Sequence, residues 1–577
     1  MFSPHAANFS RKSLVFLLLA LLPALLAARL LGGQLSRVFD YPWRRSWLIW
    51  ASMAVQLPLF SPIGEQHLSH GQVAILHVAT YIPTLVFFAL NLGSGLALML
   101  TGTVLNLIPI IANGGHMPVD PRAWNSAFPG RPLADGDAAN TVVTGVHHLQ
   151  FLGDTMAMPD WFLFSNAFSI GDLLLAVGLM YTFCRLSLDA PPIGRALLVD
   201  LTRMTRALAA GGTFRATYWA TFGDWMIIAC AAGWAAVAGG ARLVAILLAA
   251  RLVPGMLAAT RRTPGLWTRV APLAAGGAAI ALAVSVANGW TIAVSLSAIA
   301  LGAARGASSG TREVGRVSRD DLDRALLAAS LASRLAMGTG LAAGAIATMF
   351  LGPASGLAVA AAILLVSIPT AVATGRGERL SADSIRDVAG RHRRAMLLVS
   401  ACAVGAAAIA TSAPAIAEHA VVLGGGRAVF GWLFGALAVG LLCGQLVVWS
   451  FVQTGGNGGR AIGLALSGLA ASLGLAAGAD LVATLGCATG VAGLSLGAAD
   501  ALLRLEIART GERRMWQAAA TALGAGAIAG LVVAAFAGNQ GQVLWIACGA
   551  VLVVSLLVLL VGARASVVSN GPVASTA

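Results

Sequence analysis

The sequence predicts an all-α polytopic membrane protein, with about five spans in an N-terminal module and twelve in a second helical bundle. Of the 577 residues, 58% are hydrophobic and only 10% are charged. Apolar runs of about 20 residues, the length that crosses a bilayer, recur from one end of the chain to the other. A soluble chain of this length would form several cores with charged surfaces, so the composition excludes one.

The formal charge of +14 comes from short arginine clusters between the apolar runs. This is the pattern of loops beside an anionic membrane face, so we expect the lipid bilayer as a partner and no nucleic acid. The six cysteines stand singly in apolar segments, which predicts small buried side chains and neither disulfides nor a thiolate metal site.

The N-terminal module is predicted to cover residues 1–187. Its basic start and first apolar stretch are interpreted as a spanning helix, because no signal-peptide cleavage site precedes a soluble domain. The other four predicted spans are residues 46–60, 68–90, 93–112 and 167–184.

A second series of apolar runs follows a linker at 188–216. It predicts six spans in 217–373, a loop at 374–393, six spans in 394–562 and a tail at 563–577. The predicted spans are 217–238, 241–259, 270–287, 289–304, 323–349, 352–373, 394–416, 427–451, 460–478, 480–503, 514–537 and 543–562.

Arginines in alternate loops predict the orientation. The arginine-rich loops of the second series all fall on one side, which is therefore predicted to be cytoplasmic, together with the linker, the tail and the edges near Gly212 and Ala565. Residues 113–164 then form an extracytoplasmic loop.

This loop opens on "NGGHMPV", where a glycine pair and a proline follow an apolar helix. We expect Gly114, Gly115 and Pro118 to end that helix at the outer surface. Asp154 and Asp172 each follow a glycine, which would let the backbone approach closely and tie the loop to the helices. Apolar flanks predict an ordered cap, with "PGRPLADGDAANT" as its mobile tip.

Three motifs in order, "NGGHMPV", "FLGDTMAMP" and "FSIGDLLLAVG", resemble the bacterial membrane family catalogued as domain of unknown function 5317. The resemblance covers about 1–187 and implies a fold and a membrane location but no activity. The three motifs contain the candidate residues of the outer loop and module: Asn113, Gly114, Gly115, His116, Pro118, Asp154 and Asp172.

The second series resembles the major facilitator superfamily in its twelve spans, its long basic loop between the sixth and seventh, and helices rich in small residues, as in "RLAMGTGLAAGAIATMFLGPASG". The resemblance implies a transporter built from two six-span bundles. The loop between spans two and three keeps Arg261 and Arg262 but lacks the acidic residue of the family signature, and the loop after span eight keeps Arg460 alone.

Ionisable residues inside apolar segments are costly in lipid and therefore indicate function. Asp224 and Arg251 lie in the first two spans of the second series, where they either form a structural ion pair or belong to a substrate or proton pathway with Arg334. Asp500 and Arg504, four residues apart, predict a local salt bridge. Glu418 and His419 stand at a helix end, where we expect them to be exposed.

His70 and His77 share a helix face, with His67 one turn away and Glu65 nearby. This leaves zinc or copper binding and sensing of external pH open beside simple hydrogen bonding to neighbouring helices. No tight ligand motif occurs, so we expect no metal and no cofactor. Phosphate-binding loops, nucleophile elbows and zinc-protease motifs also lack a suitable context, so we expect no enzyme.

Two functional hypotheses remain open. The first is a secondary transporter of a small solute in the bacterial cytoplasmic membrane, and the second is a non-transporting scaffold or sensor whose outer loop binds a partner.

Overall fold

The computed structural model describes residues 21, 23–59, 67–130, 141–142, 148–158, 166–190, 212–260, 265–308, 322–366, 391–423, 427–452, 458–510, 513–537 and 540–569. The chain divides into two compact units. The first is Met1–Ala196 with Ser450–Gly456 and Gly478–Thr484, and the second is Leu197–Trp449 with Asn457–Ala477 and Leu485–Ala577.

Over its described residues, the first unit is built from helices, and two pairs of short strands lie between the fourth and the sixth of the following six. Its helices are α1 (Ser36–Phe39), α2 (Trp47–Leu59), α3 (His70–Leu90), α4 (Ala97–Ala112), α5 (Pro121–Ala127) and α6 (Ile170–Leu188). Strand β1 (Met117–Pro118) pairs in parallel with β2 (Thr141–Val142), and β3 (Met156–Ala157) pairs antiparallel with β4 (Ala167–Phe168). The four apolar segments predicted after the first one are therefore helical.

Over the residues that the structure describes, the second unit consists of helices joined by short turns and contains no strand. Its helices are α7 (Gly212–Thr260), α8 (Gly265–Ala287), α9 (Thr291–Ser308), α10 (Leu322–Phe350), α11 (Pro353–Val366), α12 (Arg393–Val422), α13 (Arg427–Val452), α14 (Gly458–Ala477), α15 (Val482–Arg509), α16 (Arg513–Phe536) and α17 (Gln540–Ser569). Helix α7 is two helical segments joined at non-helical Gly239 and Gly240. Twelve helical segments thus match the twelve predicted apolar runs.

The all-α polytopic membrane fold is confirmed, whereas the number of spans stays a prediction. Within the described residues, eight helices are long and apolar enough to cross a membrane, and six shorter apolar helices accompany them. Many of their large apolar side chains are exposed, among them Ile346, Ile546 and Leu560. In a bilayer these side chains face lipid, which satisfies them without a protein partner.

The second unit contains two buried cores of small and branched residues. One core is centred on Ile227, Leu282 and Leu301, and the other on Leu466, Leu469 and Leu473. Glycines bring the helices together within each half: a Cβ on Gly340 would stand 2.4 Å from Phe222 O, and one on Gly440 would stand 2.0 Å from Gly490 O. Close backbone approach at small residues is how helices associate where lipid removes the hydrophobic drive.

Some predictions differ from the structure, and others concern residues that it does not describe. The final helix continues to Ser569, into the predicted tail. All six cysteines are free, but only three are buried: Cys487 and Cys548 are half-buried, and Cys443 is exposed. The first predicted span, the linker, the 374–393 loop and the loop tip lie mainly or wholly outside the described residues.

Candidate functional sites

The glycine pair after α4 forms the predicted helix stop. The helix ends at Ala112, and Gly114 and Gly115 take positive φ angles of 68° and 95°. The N–H of Gly115 donates to Ile110 O over 2.8 Å, which satisfies a carbonyl of the last turn. A Cβ on Gly115 would stand 2.5 Å from the Cβ of Ala74 on α3. Glycine is therefore required both by the backbone angle and by the space.

Backbone hydrogen bonds tie the two ends of the outer loop together beyond this stop. The N–H of Asp154 donates to Pro118 O over 2.9 Å, and the N–H of Asp120 donates to Asp154 O over 3.1 Å. A Cβ on Gly153 would stand 2.2 Å from Pro118 O. The expectation that the glycine before Asp154 permits a close backbone approach is confirmed.

The second glycine and aspartate pair closes a polar cluster between α4 and α6. Ser169 caps α6 by accepting from the N–H of Asp172, whose carboxylate in turn accepts from the N–H of Ser169. Asn106 on α4 donates to Asp172 Oδ1 over 2.8 Å and accepts from Ser169 Oγ over 2.7 Å. A Cβ on Gly171 would stand 2.0 Å from Asn106 Oδ1, so only glycine fits there.

The outer loop carries a small core of its own. Val119, Ala123, Ala127, Ala157 and Ala167 are buried together, with Trp124 and Phe128 packed against them. Asn113 donates to His148 O over 2.8 Å and accepts from the N–H of His148 over 3.0 Å. These parts of the loop are ordered as the apolar flanks predict, although Phe151 is exposed.

Histidine 77 connects α3 to the same helix stop. It is buried, and its Nδ1 lies 3.0 Å from Gly115 O. Because a carbonyl oxygen only accepts, Nδ1 must carry the proton. Among the described residues, no group of three His, Cys, Asp or Glu side chains is placed to hold a metal ion. The structure thus gives His77 a hydrogen-bonding role, and it does not gather His67 and His77 into such a group.

Asp154 is the perturbed acid of the loop. Burial raises the pKa of its carboxyl well above the ordinary range, and the negative charge of Asp172 raises it further. Asp154 therefore holds its proton more strongly than an exposed aspartate does. Sequence reasoning selected Asp154 for its position after a glycine, and it did not foresee this effect.

In the second unit, the structure brings Asp224 and Arg251 together. Arg251 Nη2 donates to Asp224 Oδ1, joining the two halves of α7 across the bend at Gly239 and Gly240. The side chains are 13% and 18% exposed for Arg251 and Asp224, so the pair is mostly shielded. Arg251 Nε is buried, and no described residue accepts a hydrogen bond from it. Arg334 lies on α10, and its side chain is outside what the structure describes.

The predicted salt bridge between Asp500 and Arg504 is present, with Arg504 Nε 2.9 Å from Asp500 Oδ2. Sequence reasoning missed a third member. Gln445 on α13 is 2% exposed and donates to Gly497 O over 3.1 Å and to Asp500 Oδ2 over 3.4 Å. A glutamine inside an apolar run was the signal available in the sequence.

Exposure of Glu418 and His419 is a wrong prediction, because both residues are half-buried. Glu418 Oε2 accepts from the N–H of Ala241 over 3.1 Å. The donor is a backbone N–H, so the pattern of charged side chains in the sequence does not indicate this contact.

Comparison with known proteins matches residues 40–184 to a family of unknown function, DUF5317. No curated protein sequence matches the chain.

Three of the solved structures that resemble this chain each match about three fifths of it. A bacterial homologue of the iron transporter ferroportin, in an outward-facing state with soaked iron, is 15% identical over 62% of this chain and 98% of its own, with a TM-score of 0.43. The peptide transporter POT in complex with sulfate is 14% identical over 61% and 94%, with a TM-score of 0.44. An auto-inhibited POT family peptide transporter is 9% identical over 61% and 96%, with a TM-score of 0.46. The family match repeats the resemblance stated from the sequence for the N-terminal module.

Proposed function

We propose that this chain is a secondary transporter of the cytoplasmic membrane, in which the second unit moves a small solute between its two six-helix halves. The observation that carries the proposal is the shielded ion pair of Asp224 and Arg251. Ionised groups within apolar helices are costly, and in transporters they mark pathways for substrates or protons.

The pair has the chemistry of a switchable site. Arg251 holds an additional buried N–H that a solute carboxylate or phosphate is able to accept from, and Asp224 is able to exchange its arginine for a proton or a cationic group. When a solute or a proton neutralises one residue of the pair, the other residue is released from it. Ligand binding is thereby coupled to the contact between the two segments of α7. Arg334 is proposed as a further residue of the pathway.

A solute screen followed by exchange in liposomes tests the proposal. The purified protein is heated with single amino acids, dipeptides, monosaccharides and small carboxylic acids, because a bound solute raises the unfolding midpoint. Each stabilising solute is then loaded into liposomes, and exchange with external labelled solute is followed. We expect the wild type to exchange at least one of them and both D224N and R251Q to exchange it at least tenfold more slowly. A stabilising solute that exchanges equally in all three proteins would contradict the assigned pathway.

The second candidate is a sensor that binds a partner at the outer loop. It is favoured by the ordered cap built from Asn113, Pro118 and Asp154, which is more than a linker between helices needs. Disrupting the cap with G153V distinguishes the two, because solute exchange by the second unit would then persist in a transporter.

A further inference from the structure

Glu418 joins the two six-helix halves of the second unit. It lies four residues before the end of α12 in the second half, and its Oε2 accepts from the N–H of Ala241 in the first half over 3.1 Å. The contact forms at the end of the unit that the arginine distribution predicts to be extracytoplasmic. It is an interhelical hydrogen bond between a carboxylate and a main-chain donor.

Ala241 is a favourable partner because a helical segment begins there. Gly239 and Gly240 break α7, and Gly240 has a φ of +62°, a conformation that favours glycine. The N–H groups of the next turn have no partner within the helix, and together they carry a partial positive charge. A Cβ on Gly240 would stand 3.6 Å from Glu418 Oε2, so the carboxylate covers the bend itself.

A buried apolar cluster that includes Ala417, the residue before Glu418, contains side chains of both halves. Ala417 and Phe430 from the second half belong to the same buried cluster as Ala231 and Ala235 from the first, and Ala235 is fully buried. Separating the halves at this end would withdraw Ala417 and Phe430 from that cluster and break the Glu418 hydrogen bond. Charge-assisted hydrogen bonds of this type are stronger than neutral ones.

We infer that the hydrogen bond from Ala241 to Glu418 is a latch that holds this end of the second unit closed, and that its release permits the end to open. The meaning of this opening for solute movement rests on the proposed function. The conformational claim stands on the contact alone and needs no solute.

The test measures water access to Ala235 in the full-length protein in native membranes. An A235C variant is exposed to a membrane-impermeant maleimide, and the labelling of the chain without this substitution is subtracted. Because breaking a charged hydrogen bond shifts an equilibrium by about 10- to 100-fold, we expect E418A to speed labelling by about tenfold or more. E418Q keeps an acceptor without the charge, so a smaller rise is expected.

Three further variants test whether the effect comes from this hydrogen bond. A241P removes the donor at the first position of a helical segment, where proline is tolerated, and should speed labelling as E418A does. Combining A241P with E418A should add nothing, because both remove the same bond. The matched control is E506Q, the same substitution at the opposite end of the second half, where Glu506 pairs with Arg509. It should label at the parental rate.

An exposed position serves as the reference for the labelling rates. Val422 is 74% exposed, so V422C should label equally in every background and report an intact protein. Labelling of A235C that stays at the parental rate in E418A, E418Q and A241P would overturn the latch. Faster labelling without exchange of any solute would leave the latch standing and count against the proposed transport.

Discussion

Removing one partner of the Asp224 and Arg251 pair should destabilise the second unit far more than removing both. Arg251 Nη2 donates to Asp224 Oδ1, and the two side chains are only 13% and 18% exposed. In R251M, the Asp224 carboxylate loses its counter-charge in surroundings poor in water. Breaking a buried pair in this way costs about 3–5 kcal/mol, whereas replacing both partners with neutral groups is often close to neutral.

The assay is thermal unfolding of purified protein in detergent, followed by loss of the monodisperse peak in size-exclusion chromatography. R251M should unfold several degrees below wild type, and D224N/R251M should recover most of that loss. An interaction of about 2 kcal/mol or more between the two sites is expected for residues in direct contact.

The matched control is R509Q, which breaks the ion pair with Glu506 at a helix end. Arg509 is 46% exposed and Glu506 is 12% exposed, so water screens this pair at the guanidinium, and R509Q should cost less stability than R251M. The reasoning would be refuted if R251M unfolded at the same temperature as R509Q, or if the double variant unfolded at a lower temperature than R251M.

Three further predictions concern the outer loop and the topology. The pKa of Asp154 is higher in the folded state than in the unfolded state, so its stabilising contribution is present at acid pH and is lost as pH rises through the folded pKa. D154N should therefore raise the unfolding midpoint at pH 8, and this gain should vanish near pH 4. An equal gain at both pH values would contradict the raised pKa. G171A should lower the free energy of unfolding by about 1–3 kcal/mol or prevent assembly, because its Cβ would overlap Asn106 Oδ1. An unchanged unfolding midpoint would contradict the close packing of α4 on α6. Cysteines introduced near Gly212 and Ala565 should react only from the cytoplasmic side, and external labelling at either would overturn the predicted orientation.

Hydropathy predicted the helices well because the bilayer imposes a fixed length and composition on each one. The apolar runs predicted from residue 46 onward correspond to helical segments, and the bend at Gly239 and Gly240 falls between two predicted spans. The pairing of Asp224 with Arg251 was also predictable, because opposite charges in consecutive apolar runs are costly unless they meet.

Partners that carry no charge or lie far apart in the chain were not predictable. The acceptor role of Glu418 depends on a backbone N–H of another helix, and Gln445 reaches Asp500 across 55 residues. Asn106 and Ser169 likewise meet only when α4 packs on α6. Sequence patterns report which residues are costly to bury, whereas the hydrogen bonds that satisfy them follow from the packing of whole helices.

Access to the Asp224 and Arg251 pair from both faces of the membrane tests the central claim most directly. Thr221, half-buried and one turn from Asp224 on α7, is replaced in T221C and exposed to an impermeant maleimide, first in intact cells and then in inverted vesicles. A transporter whose halves alternate around this pair predicts labelling above the parental background from both faces. Labelling from one face only, or from neither, would contradict transport through this site.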